Sequence, residues 1–183
     1  MANEQYGFYV DTTRCIKCWG CTVACKQWHG IKAGTVSRRN VDETTEGVFP
    51  NVNRTFTSLS CMHCELPLCK TSCPEGAISK RDEDGIVVID LELCIGCGAC
   101  VTNCPFDVPQ LLDIEEDGKV RTVADKCDAC LSLNRQAGED TRCVITCPLN
   151  ALHFGTLTEL EALAQEKDGV RLGGMTRPAV FVS

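Results

Sequence analysis

The chain has 183 residues, a formal net charge of −7 and sixteen cysteines, against only ten Phe, Trp or Tyr. The acidic balance and the lack of a basic block argue against free nucleic acid as a partner, and no apolar run approaches the length of a membrane span. So few large side chains bury little apolar surface per residue, which leaves cysteine chemistry to supply part of what holds the fold together.

Met1 to Val10 lacks a basic start followed by an apolar run and a small-residue cleavage site, so no export signal of its own is expected, and synthesis in a reducing cytoplasm is. The first cysteine group follows: Cys15, Cys18, Cys21 and Cys25, with Trp19 inside the loop and Trp28 just beyond. The two tryptophans read as packing that excludes water rather than as electron relays. The second group is Cys61, Cys64, Cys69 and Cys73, with ELPL between Cys64 and Cys69. Ile78 to Arg81, the turn Asp82-Glu83-Asp84-Gly85 and Ile86 to Ile89 then predict a hairpin. It feeds the third group, Cys94, Cys97, Cys100 and Cys104. Leu111 to Ile114, Glu115-Glu116-Asp117-Gly118 and Val120 to Val123 predict a second hairpin ahead of the fourth group, Cys127, Cys130, Cys143 and Cys147. The acidic runs are therefore read as turn tips. Beyond Asn150 the pattern predicts a short helix over Thr158 to Lys167, with Leu160 and Leu163 on one face. Thr176 to Ser183 is expected to be extended, suited equally to capping its own sheet and to docking on a partner.

Clustered cysteines separated mostly by two or three residues fit chelation better than a disulfide framework. The third group reads CIGCGACVTNCP, the bacterial ferredoxin run C-x2-C-x2-C-x3-C-P. A cubane offers four iron corners, each completed by one thiolate. Three cysteines at two-residue intervals wrap one loop around three corners, and the fourth cysteine of the run reaches the neighbouring cluster. Zinc, the rival metal for C-x2-C knuckles, would leave the third and fourth cysteines of each run without a role. The second and fourth groups carry insertions, ELPL and LSLNRQAGEDTR, yet both keep the closing C-x3-C-P at Cys73-Pro74 and Cys147-Pro148. The expected cofactors are four [4Fe-4S] clusters.

The text around the cysteines repeats as well. Val10-Asp11 precedes Cys15-Ile16 as Ile89-Asp90 precedes Cys94-Ile95, and Pro74-Glu75-Gly76-Ala77-Ile78 matches Pro148-Leu149-Asn150-Ala151-Leu152. The second and third groups with their hairpin have the layout of one two-cluster ferredoxin, and the first and fourth pair by elimination. The expected fold class is α+β: two ferredoxin-like two-cluster modules in one chain, one inserted in the other, with short strands, short helices and many loops. Residues 1–30 and 106–155 would form the split module, 31–105 the inserted one, and 156–183 a C-terminal helix and extended tail. The expected ligand sets are Cys15, Cys18, Cys21 with Cys147; Cys127, Cys130, Cys143 with Cys25; Cys61, Cys64, Cys69 with Cys104; and Cys94, Cys97, Cys100 with Cys73.

No acid-base or nucleophilic machinery is required by this chemistry, so no catalytic residue is assigned. Arg14, Lys17, Lys26, Lys70, Lys126 and Arg142 lie within one or two residues of a cysteine. Lys17 and Lys126 are candidates for tuning cluster potentials, since a cation favours the reduced, more negative state. His63, between Cys61 and Cys64, is a further candidate as a hydrogen-bond donor to its cluster.

From YGFYVDTTRCIKCWGCTVACK, through SCMHCELPLCKTSCPEGAISKR and GIVVIDLELCIGCGACVTNCPF, to DKCDACLSL and CVITCPLNAL, the chain resembles the electron-transfer subunit of the dimethyl sulfoxide reductase family of molybdopterin enzymes. The resemblance covers nearly the whole chain, residues 6 to 153 above all. It implies a non-catalytic wire of four clusters between a quinol-side membrane anchor and a large catalytic subunit carrying a molybdenum or tungsten bis-pterin cofactor. It also implies the same pairing of first with fourth and second with third groups. Such subunits serve enzymes acting on sulfoxides, polysulfide, oxyanions or aromatic hydroxyl groups, so the substrate belongs to the partner. Co-export with a signal-bearing catalytic subunit would carry the folded chain to the extracytoplasmic face. The other reading of the same cysteines is a polyferredoxin-type carrier of a hydrogenase or formate dehydrogenase system.

Overall fold

The computed structural model describes residues 4–136 and 138–183. Met1–Asn3, the start of the segment judged to lack an export signal, and Ala137, in the widened fourth cysteine loop, lie outside the described residues. The described chain is a mixed α/β structure of short elements joined by long loops, with the cysteine groups in the loops and at the helix starts.

The chain enters through β1 (Tyr6–Val10), and the first cysteine loop runs into α1 (Gly20–Trp28). A long antiparallel hairpin follows, β2 (Arg39–Val48) and β3 (Asn51–Ser60), and delivers the chain to Cys61. The second group contains the one-turn helix α2 (Leu68–Thr71). The next two strands, β4 (Ile78–Lys80) and β5 (Val87–Ile89), pair antiparallel as the predicted first hairpin. The third group contains α3 (Ala99–Thr102). The predicted second hairpin forms as β6 (Gln110–Glu116) and β7 (Lys119–Asp125). Its strands run further than expected: Glu115 and Glu116 pair with Val120 and Lys119, leaving only Asp117 and Gly118 in the turn, both at positive φ. The fourth group holds a 3-10 turn (Leu131–Leu133) and α4 (Arg142–Ile145).

The C-terminal part completes a four-stranded sheet of order β8-β1-β10-β9, built from β8 (Leu152–Thr156), β9 (Val170–Arg171) and β10 (Val180–Val182). The extended tail thus closes the protein's own sheet: β10 runs parallel to β1, Phe8 opposite Val180 and Val10 opposite Val182. Gly7 permits that approach, because a Cβ there would meet the Ala179 carbonyl oxygen at 1.9 Å. Between β8 and β9, α5 (Leu157–Glu166) starts on a capping box: the Thr156 hydroxyl accepts from the Glu159 N–H, and the Glu159 carboxylate accepts from the Thr156 N–H at 2.9 Å.

β1 is buried on both faces. Tyr9 packs with Phe181, Leu160 and Ala164 against α5, whereas Phe8 and Val10 join Val41, Met62, Leu152 and Val180 in a cluster shared with Cys21, Cys61, Cys127 and Cys143. A third cluster combines Ile78, Val87 and Ala124 with Cys100. Sulfur therefore takes the place of aliphatic side chains in two of the three apolar clusters, which is how the chain folds with so few aromatics.

The repeated text becomes a repeated topology. β4 leaves the second cysteine group and pairs with β5, which enters the third; β8 leaves the fourth group and pairs with β1, which enters the first. The matching backbone bond closes each pair: the Asp90 N–H donates to Ala77 O and the Asp11 N–H to Ala151 O, both at 2.8 Å. The helices follow suit, α1 against α4 and α2 against α3. The two long hairpins cross between these halves. Ser58 of β3 lies 3.3 Å from Cys21, and the Ala124 N–H of β7 donates to Cys94 Sγ at 3.3 Å.

Candidate metal centres

Each cysteine group shares one backbone device. The residue before its second cysteine is left-handed: Lys17 (φ 57°), His63 (φ 41°), Gly96 (φ 69°) and Ala129 (φ 53°). Such a residue turns the chain sharply within a two-residue interval, so neighbouring cysteines can converge and backbone N–H groups can face sulfur. The Ala129 N–H donates to Cys127 Sγ at 3.4 Å, and the Ala151 N–H to Cys147 Sγ at 3.3 Å. At Gly96 it is the space that demands glycine, since a Cβ would lie 2.3 Å from the Thr122 carbonyl oxygen.

All sixteen cysteines are free thiols, and twelve of them line three cavities in fours. Cys15, Cys18, Cys21 and Cys147 line one cavity with Ile16, Trp19 and Ser58. Cys73, Cys94, Cys97 and Cys100 line a second with Ile95 and Ala124. Cys61, Cys64, Cys69 and Cys104 line a third with Phe106, Val108 and Lys126. The walls of these three cavities are almost wholly apolar. The remaining four, Cys25, Cys127, Cys130 and Cys143, lie within each other's electrostatic reach where α1 meets α4.

Burial pushes the thiols of Cys15, Cys64, Cys100, Cys127 and Cys130 upward, and those of Cys25 and Cys69 up to about 12. At neutral pH these sulfurs hold their protons unless a cation displaces them, so ligation by thiolate releases protons and favours higher pH. Four soft donors converging on one apolar-walled pocket fit an iron-sulfur body. Among the described residues no three His, Cys, Asp or Glu side chains converge as one metal ion requires.

The charged candidates have very different surroundings. Lys17 is partly exposed, and its Nζ pairs with Glu43 at 2.6 Å. Lys126 is buried; its ammonium donates to the Val87 carbonyl and, at 3.1 Å, to the Cys127 carbonyl, and it borders the Cys61–Cys104 cavity. His63 is fully buried, and its Nδ1 accepts from the Val87 N–H at 3.2 Å. Burial, reinforced by Lys126, Lys80 and Arg39, holds it well below the usual histidine range, so the ring is neutral with its proton on Nε2. That Nε2 has no hydrogen-bond partner among the described residues. Trp19 lines the first cavity but is exposed, and Trp28 is exposed as well, with the Arg142 guanidinium 4.3 Å from its ring, so Trp28 does not shield a cluster from water as expected and Trp19 does so only in part. Two arginines escape any reading of the sequence. Arg38 pairs with Asp125 at 2.6 Å and reaches Asp128 and His29, tying the fourth group to the end of α1. Arg39 is buried beside it. In sequence both look like ordinary surface charges at the start of a polar strand.

A 4Fe-4S dicluster domain model matches residues 52–157. The protein is 42% identical over 161 residues to the thiosulfate reductase electron transfer subunit PhsB of Salmonella typhi, spanning 87% of this chain and 80% of that one. Over 165 residues it is 39% identical to the B subunit of the anaerobic dimethyl sulfoxide reductase of Escherichia coli K12, spanning 86% of this chain and 77% of the relative. This protein belongs to that family of iron-sulfur electron-transfer subunits. Its similarity extends to the probable anaerobic dimethyl sulfoxide reductase subunit YnfG of Escherichia coli K12, 40% identical over 166 residues. Membership makes the protein a [4Fe-4S] carrier that transfers electrons within a reductase complex, rather than the catalytic subunit. No helix among the described residues is long and apolar enough to cross a membrane.

Proposed function

We propose that the chain holds four [4Fe-4S] clusters and relays electrons between a quinol-side membrane anchor or other donor and a molybdopterin catalytic subunit containing molybdenum or tungsten. The observation that carries this reading is the convergence of twelve thiols in fours on three cavities, with the other four gathered where α1 meets α4. Each quartet takes three cysteines from one group and one from another. The ligand sets are Cys15, Cys18, Cys21 with Cys147; Cys127, Cys130, Cys143 with Cys25; Cys61, Cys64, Cys69 with Cys104; and Cys94, Cys97, Cys100 with Cys73. The paired strands β8–β1 and β4–β5 and the paired helices α1–α4 and α2–α3 support two ferredoxin-like modules, one inserted in the other.

A [4Fe-4S] cluster in each quartet would supply one-electron transfer with little change of geometry. The protein's own part is to exclude water and set the charge around it. Apolar walls do the first; backbone N–H groups aimed at sulfur, and Lys126 buried beside the Cys61–Cys104 quartet, do the second. Cys18 and Cys97 are the exposed cysteines. Exposed Ile16 and Trp19 flank Cys18, and exposed Leu93 and Ile95 precede Cys97. These two quartets belong to different modules, so the chain offers an apolar electron port at each, one for the donor side and one for the catalytic partner. Substrate chemistry stays with that partner, and co-export with it would set the complex on the extracytoplasmic face.

Iron and acid-labile sulfide per chain, with low-temperature EPR, on protein purified without oxygen together with its companions, tests this reading. About sixteen of each, with a large molybdenum- or tungsten-containing chain alongside, is the expected result. About half that iron would overturn the four-cluster assignment, and zinc in its place would overturn the cofactor.

A further inference from the structure

Arg39 opens β2 and is the largest fully buried side chain, with 2% of its surface exposed. Its Nη1 donates to the Ser58 carbonyl at 3.0 Å and the Ser58 hydroxyl at 3.2 Å, and its Nη2 donates to the Ser60 hydroxyl at 2.9 Å. The guanidinium carbon lies 4.6 Å from the Phe8 ring, and Phe8 in turn stacks on His63. Every one of these partners is uncharged. The ion pairs nearby, Lys17–Glu43 and Arg38–Asp125, leave Arg39 out, and no carboxylate pairs with it among the described residues.

A buried cation held only by neutral dipoles is costly, and such ions persist in proteins where an anion lies within reach. The groups that act most strongly on Arg39 and can carry negative charge are thiols: Cys143, Cys127, Cys21 and Cys25. They come from two different quartets. Cys21 lines the cavity of Cys15, Cys18 and Cys147, whereas Cys25, Cys127 and Cys143 belong to the quartet between α1 and α4. Ser58 strengthens the link, because the oxygen that accepts from Arg39 lies 3.3 Å from Cys21 Sγ and borders the first cavity.

We infer that Arg39 is the shared counter-charge of the two clusters held by the first and fourth cysteine groups, and that it raises the reduction potential of both. The inference rests on the four-cluster reading above. Reduction adds one electron to a body that is already anionic, so a fixed positive charge between the two sites favours the reduced form at each. The low dielectric of its surroundings keeps that effect from being screened. Because one cation serves both sites, its loss moves their two potentials together and by more than the other two, of which the Cys61–Cys104 quartet is met only through Ser60 and His63. Arg39 acts through charge and position and touches no substrate.

The test is an EPR-monitored redox titration of the anaerobically purified holoprotein, comparing the natural chain with Arg39→Gln, Arg39→Met and Arg39→Lys. Iron is counted first: fewer than about sixteen atoms in the natural chain would overturn the four-cluster reading itself. With all clusters present, Arg39→Gln and Arg39→Met should lower two of four potentials, each by at least tenfold in the reduced-to-oxidised ratio, about 59 mV for a one-electron couple. Arg39→Lys, which keeps the charge, should restore most of that loss. Four unmoved potentials, or an equal shift in all four, would overturn the assignment to Arg39. Should both uncharged variants fail to load clusters, loading of Arg39→Lys supports a need for charge, because methionine fills much the same space. Failure of the lysine variant as well would mean that the hydrogen bonds to Ser58 and Ser60 are what matter, and would reject the electrostatic role.

Discussion

Asp11 illustrates how single side chains hold the loops to the sheet. Burial opposes its ionisation, but hydrogen bonds from Lys167 at 2.7 Å and from the Thr13 hydroxyl at 2.6 Å outweigh burial and hold its carboxyl below the usual range. A depressed folded value means that the stability is present above the unfolded pKa, about 4, and is lost as pH falls through the folded one. Asp11→Asn is therefore expected to lower stability by about 2 kcal/mol at neutral pH, with the gap to the natural chain closing in acid; paired denaturant melts at both pH values check it. Gly96 makes a sharper demand. Gly96→Ala forces a side chain at φ 69° against the Thr122 oxygen, a strain of about 1–3 kcal/mol beside Cys97. Faster iron loss to a chelator than from the natural chain is the expected readout. Lys17 and Lys126 show where residue-level reading stops. Each adjoins a cysteine, yet one is partly exposed and paired with Glu43 while the other is buried among carbonyls. Sequence distance to a ligand does not encode depth.

At the scale of elements, the two hairpins flanked by turn residues were legible because alternation and a Gly-containing turn coincide. The β2–β3 hairpin was not. Its outer half has no buried face, with Val48 and Phe49 exposed at the tip, so no period-2 apolar stripe marks it. What fixes it is its root, where Val41 and Ser58 meet the first cysteine group. The C-terminal strand is the opposite case. Its extended character was plain in Pro178-Ala-Val-Phe-Val, but capping and docking looked alike until β10 took its place between β1 and β9. Phe181, packed with Tyr9 and Leu160, should cost about 3–5 kcal/mol on truncation to Ala. Thermal melting measures it; iron content under native conditions should hold, because this cluster contains no cysteine.

For the whole molecule, cysteine is both proposed ligand and core. Cys21, Cys61, Cys127 and Cys143 lie in the central apolar cluster, and Cys100 in the third, so cluster loss and loss of packing are one event. The quartets differ in how far such damage spreads. Cys97 is exposed, and its cavity sits on the third apolar cluster, away from Phe8 and Val10. Cys97→Ser is expected to remove about four irons and to leave the remaining EPR signals in place. Retention of the full complement in that variant would count against the proposed ligand sets.

The sequence by itself determined the chemistry. Thiolates at fixed short intervals can wrap only a few kinds of metal body, and the repeated text around them is local information that survives without coordinates. The family and the absence of a catalytic role followed from the same residues. Only the tertiary structure decided which charges are buried, because burial is set by elements distant in the chain. Arg39 lies between β3, Phe8 of β1 and thiols from both ends of the cysteine series. No local pattern records that convergence, since a buried arginine and a solvated one are spelled alike.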